Sequence, residues 1–339
     1  MTATAGSDGR PATISDVALL AGVSVPTVSR VLTGSARVTP GKQDQVERAI
    51  AQLGFRPNPA ARQLSSRAAG AIGVLTADTS IHGYAETIRG IEEEARANGT
   101  AILITVIESA EEERVEQAVE AVLSHPLDGV IALKFDPAGV AALRRLPRSL
   151  PVVALAGARD HSRSQVLLAE KEAGRALTAM LLDLGHRTVH HVRIPSSSRN
   201  SGRAAGWRRA LQDAGRAVPP PLDTGWDPRD AVRLGRLMAL DDQVTAVFCG
   251  NDEIAMGVMR GLIDGGRRVP DDVSVVGFDD HPLAPLWTPS LTTARQDFAA
   301  LGRLGVRLLR EQLAGGGRVC RSLEPSLVLR ASASPPRSG

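Results

Sequence analysis

Residues 14–32 read ISDVALLAGVSVPTVSRVL, and this stretch decides how the front of the chain folds. Thr13 and Asp16 have the spacing of a capping box, in which each side chain bonds the backbone N–H of the other, so a helix is predicted to begin here. Gly22 is predicted to end that helix. A second short helix follows, with Pro26 in its first turn, where a missing N–H costs little. Two short helices joined by a tight glycine turn predict a helix-turn-helix.

The excess positive charge of the chain lies in the same region. The whole sequence has 40 Lys and Arg against 37 Asp and Glu, and residues 1–68 hold eight of the basic and four of the acidic side chains. A third helix is predicted there, capped by Thr39 and ended by Gly54. This asymmetry favours a small module for a polyanion, attached to a nearly neutral body.

The second helix carries side chains that suit duplex DNA. A helix-turn-helix places the N-terminal end of its second helix in a major groove. Its exposed residues are predicted to be Val25, Pro26, Ser29 and Arg30. Arg30 could bond a guanine edge, and Val25 or Pro26 could touch a thymine methyl group. Three hydroxyl side chains suit phosphate oxygens: Ser24, Thr27 and Ser29. The alternative is a three-helix bundle that binds no nucleic acid.

From Ala71 onward, apolar runs alternate with helical stretches, which is typical of βαβ units and an α/β fold with parallel sheets. The predicted strands are 71–76, 101–106, 128–133, 151–155, 187–194, 244–249 and 273–278, with a late helix at 297–314 and a last strand near 325–330. This length exceeds one sheet, and the irregular stretch 157–170 divides it. We therefore predict two doubly wound parallel-sheet subdomains.

The same patterns predict the domain boundaries. We expect disordered ends at 1–11 and 331–339, a helix-turn-helix headpiece at 12–57, a hinge helix or linker at 58–69, and a core at 70–330. Within the core, the N-subdomain is predicted to cover about 70–158 and 293–320, and the C-subdomain about 159–292 and 321–330.

The composition excludes several classes of protein. The chain is 43% hydrophobic and 23% charged, which is typical of globular proteins. No apolar run approaches the roughly 18 residues of a membrane span, and the first residues lack the pattern of a signal peptide, so a cytoplasmic location is predicted. Cys249 and Cys320 are expected to be reduced and mostly buried thiols. We predict no cofactor, and metal ligation by His190 and His191 is disfavoured because they alternate along a strand.

Residues 13–66 strongly resemble the headpiece of the LacI/GalR family of bacterial transcription repressors. The strings that carry the resemblance are TISDVALLAGVSVPTVSRVL and TPGKQDQVERAIAQLGFRPNPAARQLSS. The resemblance continues through LLDLGHR at 181–187, GRAAGW at 202–207, GNDEIAMGVMRG at 250–261, VSVVGFDD at 273–280 and PSLTTARQDFAALG at 289–302. It implies a homodimer that binds a pseudo-palindromic DNA operator, and a core of periplasmic-binding-protein type.

The resemblance also assigns roles in the headpiece. It implies base reading by Val25, Pro26 and Arg30, phosphate contacts by Thr27 and Ser29, and a hinge helix whose leucines open the minor groove. The full set predicted to contact DNA is Thr13, Ser24, Val25, Pro26, Thr27, Ser29, Arg30, Arg37, Asn58, Ala61 and Leu64.

Polar side chains at the ends of predicted strands suggest a ligand cleft. Asp279 follows VSVVGF, Asn251 follows TAVFCG, and Arg203 opens the helix after HVRI. Ligands of parallel-sheet proteins bind beyond the carboxyl ends of the strands, and these groups suit the hydroxyls of a sugar. The alternatives are a turn pair at Asp279 and Asp280, a helix cap at Asn251, and a surface ion pair at Arg203.

The resemblance supports these three residues and implies further ones. It matches Trp226 to a tryptophan that stacks on a sugar ring, and Gln296 and Phe298 to pocket positions; Tyr84 is expected to line the N-terminal side. Leu133 and Ala156 stand where galactoside-binding relatives have polar residues, which disfavours a lactose-type inducer. Whether the effector releases the protein from DNA or promotes binding stays open.

Two other classes of function are weighed against a DNA-binding regulator. A cytoplasmic α/β enzyme acting on a sugar or nucleotide is the main alternative, but the sequence has no G-x-G-x-x-G after the first strand, no P-loop, no G-x-S-x-G and no H-E-x-x-H. A pure sugar-binding protein is disfavoured by the basic headpiece. We expect an effector-dependent shift between two states of the cleft.

Overall fold

A computed structural model of the chain describes residues 12–32, 38–55, 70–157, 159, 162–195 and 202–337. The chain divides into a first unit that ends at Ala69 and a second that begins at Gly70. The predicted N-terminal disordered end lies outside the described residues, as does the whole of the predicted hinge helix or linker at 58–69.

The first unit contains the three predicted helices: α1 (Ile14–Ala21), α2 (Val25–Leu32) and α3 (Pro40–Leu53). The capping box at α1 is confirmed, since Thr13 N–H donates to Asp16 Oδ2 at 2.8 Å and Asp16 N–H donates to Thr13 Oγ1 at 3.3 Å. Gly22 ends α1 with a φ of 64°, in the left-handed region where glycine is favoured. Among the described residues no single helix is long and apolar enough to span a membrane. The helices α1 and α2 together have the length and the apolar composition of a span, but they are bent by 105° at the break between them.

A small apolar core holds these helices together. Its buried members are Val17, Ala18, Ala21, Val28, Val46, Ala49 and Phe55. The expectation for the start of α3 is wrong in one respect, because Thr39 occupies the N-cap position but its side chain makes no capping hydrogen bond. Pro40 follows it at the first helical position, which has no N–H to satisfy.

The second unit contains two parallel sheets. The first has the order β11-β5-β4-β3-β1-β2, where the strands are β1 (Ala71–Thr76), β2 (Ile102–Val106), β3 (Leu127–Lys134), β4 (Val152–Ala156), β5 (Ser164–Leu168) and β11 (Cys320–Leu323). The second has the order β7-β6-β8-β9, where the strands are β6 (His190–Arg193), β7 (Leu222–Asp223), β8 (Ala246–Cys249) and β9 (Ser274–Val276).

Helices cover both faces of each sheet, as a doubly wound fold requires. We call the first sheet and its four helices the N-lobe; these helices are α4 (His82–Ala97), α5 (Glu112–Leu123), α6 (Pro137–Arg145) and α11 (Phe298–Leu313). We call the second sheet and its four helices the C-lobe; these helices are α7 (Glu170–Asp183), α8 (Gly202–Asp213), α9 (Pro228–Met238) and α10 (Asp252–Asp264).

The predicted boundaries between the subdomains need three corrections. Residues 164–168 form β5 in the N-lobe sheet, because this apolar run pairs in parallel with β4, with Val153 opposite Ser164. Residues 320–323 form β11 in the same sheet, beside β5. By contrast, β10 (Thr293–Arg295), which was assigned to the N-subdomain, lies next to β9 of the C-lobe and pairs with β12 (Ser326–Val328).

The predicted disorder at 331–339 is wrong for residues 331–337. Val275 N–H donates to Ser332 O at 2.8 Å, so this segment continues the edge of the C-lobe sheet. The Ser332 hydroxyl is fully buried and donates to Val275 O at 2.6 Å. A second serine, Ser334, accepts a hydrogen bond on its carbonyl oxygen from the Ser274 hydroxyl at 3.0 Å. Short hydroxyl side chains thus satisfy buried backbone groups in a stretch that has the composition of a disordered tail.

Glycines allow three helix pairs to pack at very short distances. In α4 and α11, a Cβ atom added at Gly90 would lie 2.1 Å from Ala299 O, and one at Gly302 would lie 2.2 Å from Thr87 O. The other two pairs meet in the same way, α7 with α8 through Gly174 and Gly206, and α9 with α10 through Gly235 and Gly261. Both lobes therefore contain helix contacts that leave no space for a side chain.

Candidate functional sites

The outer surface of α2 presents the residues that were predicted to read DNA. Val28 is fully buried in the core of the first unit and thereby fixes the orientation of the helix. Val25 is 40% exposed, and Pro26 and Arg30 are also exposed. Ser29 is half-buried, although full exposure was expected. The N-terminal end of α2 thus offers an apolar surface beside a cationic side chain.

Hydroxyl groups surround this end of the helix. Ser24 Oγ and Thr27 Oγ1 share a hydrogen bond of 2.9 Å. Thr13 Oγ1 donates to Asp16 Oδ2 at 2.7 Å and is therefore already used in the cap of α1. The other predicted DNA contacts lie outside the described residues: Arg37, Asn58, Ala61 and Leu64.

A chamber of about 60 Å³ lies between the two lobes of the second unit. Five of the seven predicted effector residues line it: Tyr84, Arg203, Trp226, Asp279 and Phe298. Tyr84 and Phe298 come from the N-lobe helices, whereas Arg203 and Asp279 come from the C-lobe. The structure therefore brings together residues that are more than 200 positions apart in the sequence.

Arg203 is the most heavily bonded residue of the chamber. Its Nη2 donates to Glu170 Oε1 at 2.9 Å and lies 3.1 Å from Asp279 Oδ1, and its Nη1 donates to Gly250 O. Its guanidinium also lies 4.2 Å from the centre of the Phe278 ring. Burial would lower the pKa of Arg203, but the charges of Asp279 and Glu170 outweigh it and raise that pKa. The partners of Arg203 are thus the buried Asp279 and the largely buried Glu170, not the surface acid of the alternative interpretation.

The backbone is strained where Asp279 enters the chamber. Asp279 has a φ of 107° and Asp280 a φ of 55°, so two consecutive non-glycine residues adopt left-handed conformations. Asp279 Oδ1 accepts a hydrogen bond from Gln296 Nε2 at 2.8 Å. Asp280 accepts hydrogen bonds of 2.6 Å from both Arg295 and Arg330. The pair therefore forms a turn, as in the alternative interpretation, and Asp279 also lines the chamber.

Two predicted effector residues do not line the chamber itself. Asn251 caps α10, since its Oδ1 accepts from Ile254 N–H at 2.9 Å, and its Nδ2 donates to Glu253 at 2.6 Å. Gln296 lies behind Asp279 and lines a separate groove on the surface. Gln296 Oε1 is buried and has no hydrogen-bond partner within the described part of the chain.

Several lining residues were not predicted from the sequence. Glu170 is the first residue of α7 and lies just after β5. Because β5 was not among the predicted strands, the position of Glu170 near the end of a strand was not recognised. Phe135 follows β3 and packs edge-on against Tyr84, with ring centres 5.2 Å apart. His191 lines the chamber, whereas the neighbouring His190 is not among its lining residues. Its Nδ1 is 2.8 Å from Phe248 O, and burial lowers its pKa to about 4.

Trp226 connects the two lobes. It packs against the apolar clusters of both lobes, and its ring centre lies 6.1 Å from that of Tyr84 in an edge-on arrangement. Trp207 is fully buried and donates from Nε1 to Val189 O at 2.8 Å. Leu133 and Ala156 are fully buried and are not among the residues that line the chamber.

The chemistry of the chamber is that of hydrogen bonding to a polar ligand. Within the described residues, no group of three His, Cys, Asp or Glu side chains is placed to hold a metal ion. Cys249 is buried, while Cys320 is exposed, contrary to the expectation that both thiols are mostly buried. The chamber contains charged side chains that bond one another and aromatic rings beside them. This combination suits a ligand rich in hydroxyl groups.

Two family models match separate parts of the chain. The family model "Bacterial regulatory proteins, lacI family" matches residues 13–58, and a periplasmic binding protein-like domain model matches residues 178–333. The lactose operon repressor of Escherichia coli K12 is 29% identical over 97% of this chain and 92% of its own length. The ribose operon repressor of Haemophilus influenzae is 31% identical over 95% of this chain and 98% of its own length.

Solved structures agree with this comparison. The lac repressor dimer bound to operator and the anti-inducer ONPF matches with a TM-score of 0.88 and 29% identity, over 96% of this chain and all of that chain. The complex of the transcriptional regulator CelR with cellobiose matches with a TM-score of 0.67 and 27% identity, over 95% of this chain and all of that chain. The similarity therefore extends over both units.

Proposed function

Because the chain belongs to the lacI family of bacterial regulatory proteins, we propose that it is a sequence-specific DNA-binding repressor controlled by a saccharide effector. Members of this family are transcriptional repressors, so the alternative of an α/β enzyme is not retained. The observation that carries the proposal is that the chain contains both an exposed, cationic α2 surface in the first unit and a polar chamber in the second.

In the DNA complex, α2 enters the major groove by its N-terminal end. Arg30 bonds a guanine edge, and Val25 and Pro26 contact thymine methyl groups. Phosphates are contacted by Ser24, Thr27, Ser29 and Arg37. Asn58, Ala61 and Leu64 act from a hinge helix in the minor groove. Such a repressor acts in the cytoplasm, where the operator is.

The effector binds in the chamber between the lobes. Asp279 and Arg203 bond its hydroxyl groups, and Tyr84, Trp226 and Phe298 contact its ring faces. Asn251 and Gln296 support these contacts from behind. The effector shifts the population between two arrangements of the lobes. The change that it causes in the free energy of DNA binding is limited by the difference between its binding free energies for the two arrangements.

The functional form is a homodimer, which matches a pseudo-palindromic operator. The lac repressor structure with which this chain shares a TM-score of 0.88 is a dimer. Two features fit a second copy as the partner. Strand β2 is an edge strand with the exposed apolar residues Ile104 and Val106, and Leu286 is 75% exposed on the C-lobe. Exposed apolar surface of this kind is typical of protein interfaces.

Operator selection from a random DNA pool tests the DNA-binding role. We expect the full chain to enrich a pseudo-palindrome, with an affinity that falls steeply as salt is raised, because bound counterions are released. Arg30→Ala should lose at least about tenfold in specific affinity, as expected for one bidentate base contact. Arg48→Ala, which removes an exposed arginine of α3, is the matched control. An unchanged operator preference in Arg30→Ala would contradict the assignment.

A thermal-shift screen with sugars tests the effector role, since a bound ligand raises the melting temperature. We expect at least one saccharide to stabilise the full chain. Asp279→Asn keeps the size of the side chain and tolerates the left-handed backbone, but it removes the charge that faces Arg203. This variant should bind operator normally and lose the response to that saccharide. A normal response would place the effector elsewhere.

A further inference from the structure

A second and larger cavity opens directly outside the chamber. We call it the outer groove, and its lining consists of residues 77, 78, 81, 84, 107–110 and 136–138 of the N-lobe, with Pro195 and Trp226. Its volume is about 330 Å³, against about 60 Å³ for the chamber.

The chamber and the outer groove share part of their lining. Ile81, Tyr84 and Trp226 line both cavities, so the edge-on pair of Tyr84 and Trp226 stands at the passage between them. A ligand that bonds Asp279 in the chamber and is longer than one ring can extend past this pair into the outer groove. The aromatic rings would then contact the ligand at the junction of its two units.

The polar lining of the outer groove is made of hydrogen-bond acceptors. Asp78, Glu108 and Asp136 line it together with Ser109, and none of the described lining residues is Lys, Arg or His. Partial burial would raise the pKa of Asp78. Its carboxylate, however, accepts hydrogen bonds from the backbone N–H groups of Ile81 and Ser80, and these bonds keep the pKa below the usual value. The groove thus favours hydroxyl or amino groups and repels phosphate and carboxylate.

The side chains of this lining are held in place. Tyr84 OH donates to Asp136 Oδ2, and Gly139 N–H donates to Asp136 Oδ1 at 2.9 Å, so the carboxylate caps α6 and fixes the tyrosine at the passage. Asp136 is only 4% exposed, and Tyr84 is 2% exposed. The shape of the passage is therefore built before a ligand arrives, which reduces the entropic cost of binding.

We propose that the effector is a ligand of two sugar units without negative charge, with one unit in the chamber and the other in the outer groove. This inference rests on the proposed saccharide effector and specifies its length and charge. The unit in the chamber bonds Arg203 and Asp279. The second unit contacts Trp226 and donates hydroxyl hydrogens toward Asp78 and Ser109.

Calorimetric titration of the full chain tests the proposal. The probes are cellobiose, maltose and lactose, the monosaccharides glucose and galactose, and the 6-phosphates of the disaccharides. We expect one neutral disaccharide to bind at least tenfold more tightly than either monosaccharide, and its phosphate at least tenfold more weakly than the neutral form. Equal affinity for a disaccharide and its monosaccharide would overturn the two-unit proposal.

A groove-filling variant makes the test specific. Ala110 lines the outer groove and is exposed, so Ala110→Trp fills the groove without disturbing a core. It should weaken disaccharide binding at least tenfold and leave monosaccharide binding within twofold. Ala97→Trp, at the far end of α4, is the matched control and should change neither. Undiminished disaccharide binding by Ala110→Trp would overturn the outer groove as a binding site.

The two proposals fail in different ways. If no sugar binds the wild-type chain while operator binding is intact, the saccharide class of the effector is wrong, and the two-unit proposal falls with it. If a monosaccharide binds as tightly as every disaccharide and Asp279→Asn abolishes that binding, the proposed function stands and only the outer groove is refuted.

Discussion

Arg330 Nη2 lies 2.6 Å from Asp280 Oδ1, and this ion pair ties the segment after β12 to the strained turn beside the effector chamber. Both side chains are largely buried, at 14% and 9% exposure. Arg330 Nη1 also donates to Leu291 O at 2.7 Å. The turn thus depends on a residue that is 50 positions away in the sequence.

Arg330→Met tests the importance of this ion pair. It leaves the buried Asp280 carboxylate with Arg295 as its remaining described cationic partner, so the free energy of unfolding should fall by about 2–3 kcal/mol. Affinity for the effector should also fall, because the neighbouring Asp279 loses its support. Denaturation and ligand titration measure the two effects. Arg337→Met, which removes a more exposed arginine, should cause neither, and equal behaviour of both variants would refute the role.

The two caps of the first unit should respond differently to mutation. Thr13 takes part in a complete capping box, whereas the Thr39 side chain makes no capping bond. Thr13→Ala should therefore cost about 1 kcal/mol in local stability, and Thr39→Ala clearly less. Hydrogen exchange of the amides in α1 and α3 measures both. Faster exchange in α3 than in α1 after the matching substitutions would contradict the assignment.

Gly90→Ala should destabilise the N-lobe. The added methyl group would lie 2.1 Å from Ala299 O, and backbone cannot move aside cheaply, so a cost of about 1–3 kcal/mol is expected. Gly317→Ala is the matched control, because no atom lies within 4 Å of its added methyl group. Chemical denaturation of the two variants compares the effects. Similar stability of both would show that α4 and α11 can separate without cost.

His191 should make stability depend on pH. In the folded chain its pKa is about 4, below the ordinary value of 6.5, because the ring is buried. Between these values the unfolded chain takes up a proton that the folded chain does not. The free energy of unfolding should therefore decrease as the pH falls from 6.5 to 4, by up to about 3 kcal/mol from this group.

A phenylalanine at position 191 isolates that contribution. His191→Phe keeps a ring against Phe248, whose centre is 4.7 Å away, but cannot be protonated. Melting temperatures of this variant should decline less between pH 6.5 and 4 than those of the wild type. His125→Gln, which replaces an exposed histidine, should keep the wild-type decline. A pH profile of His191→Phe identical to the wild type would remove this residue as the source.

Local patterns in the sequence predicted much of the fold. The capping box at Thr13 and the glycine at 22 determine α1 through bonds between near neighbours, so they can be read directly. Alternation of apolar runs and helices likewise predicted two parallel sheets. Strand β5 was missed because Ser164–Leu168 is short and follows a polar loop, and only its pairing with β4 identifies it.

The sequence predicted where the site lies, but not which of its residues form hydrogen bonds and ion pairs with one another. Arg203 and Asp279 were found because both follow strands, yet Glu170, which bonds Arg203, depends on the unrecognised β5. Asn251 was assigned to the ligand, but its position immediately before α10 makes it a cap. The serines at 332 and 334 look like a disordered tail because their hydrogen-bond partners are distant in sequence.

The glycine contacts between helices limit how the second unit can deform. Neighbouring helices that touch backbone to backbone cannot slide past one another, so each lobe behaves as a stiff block. Any rearrangement is then concentrated in the three short connectors where the chain crosses between the lobes, at 169, 296–297 and 324–325. Substitutions in these connectors, which line no part of the chamber, should yield repressors that respond too readily or not at all.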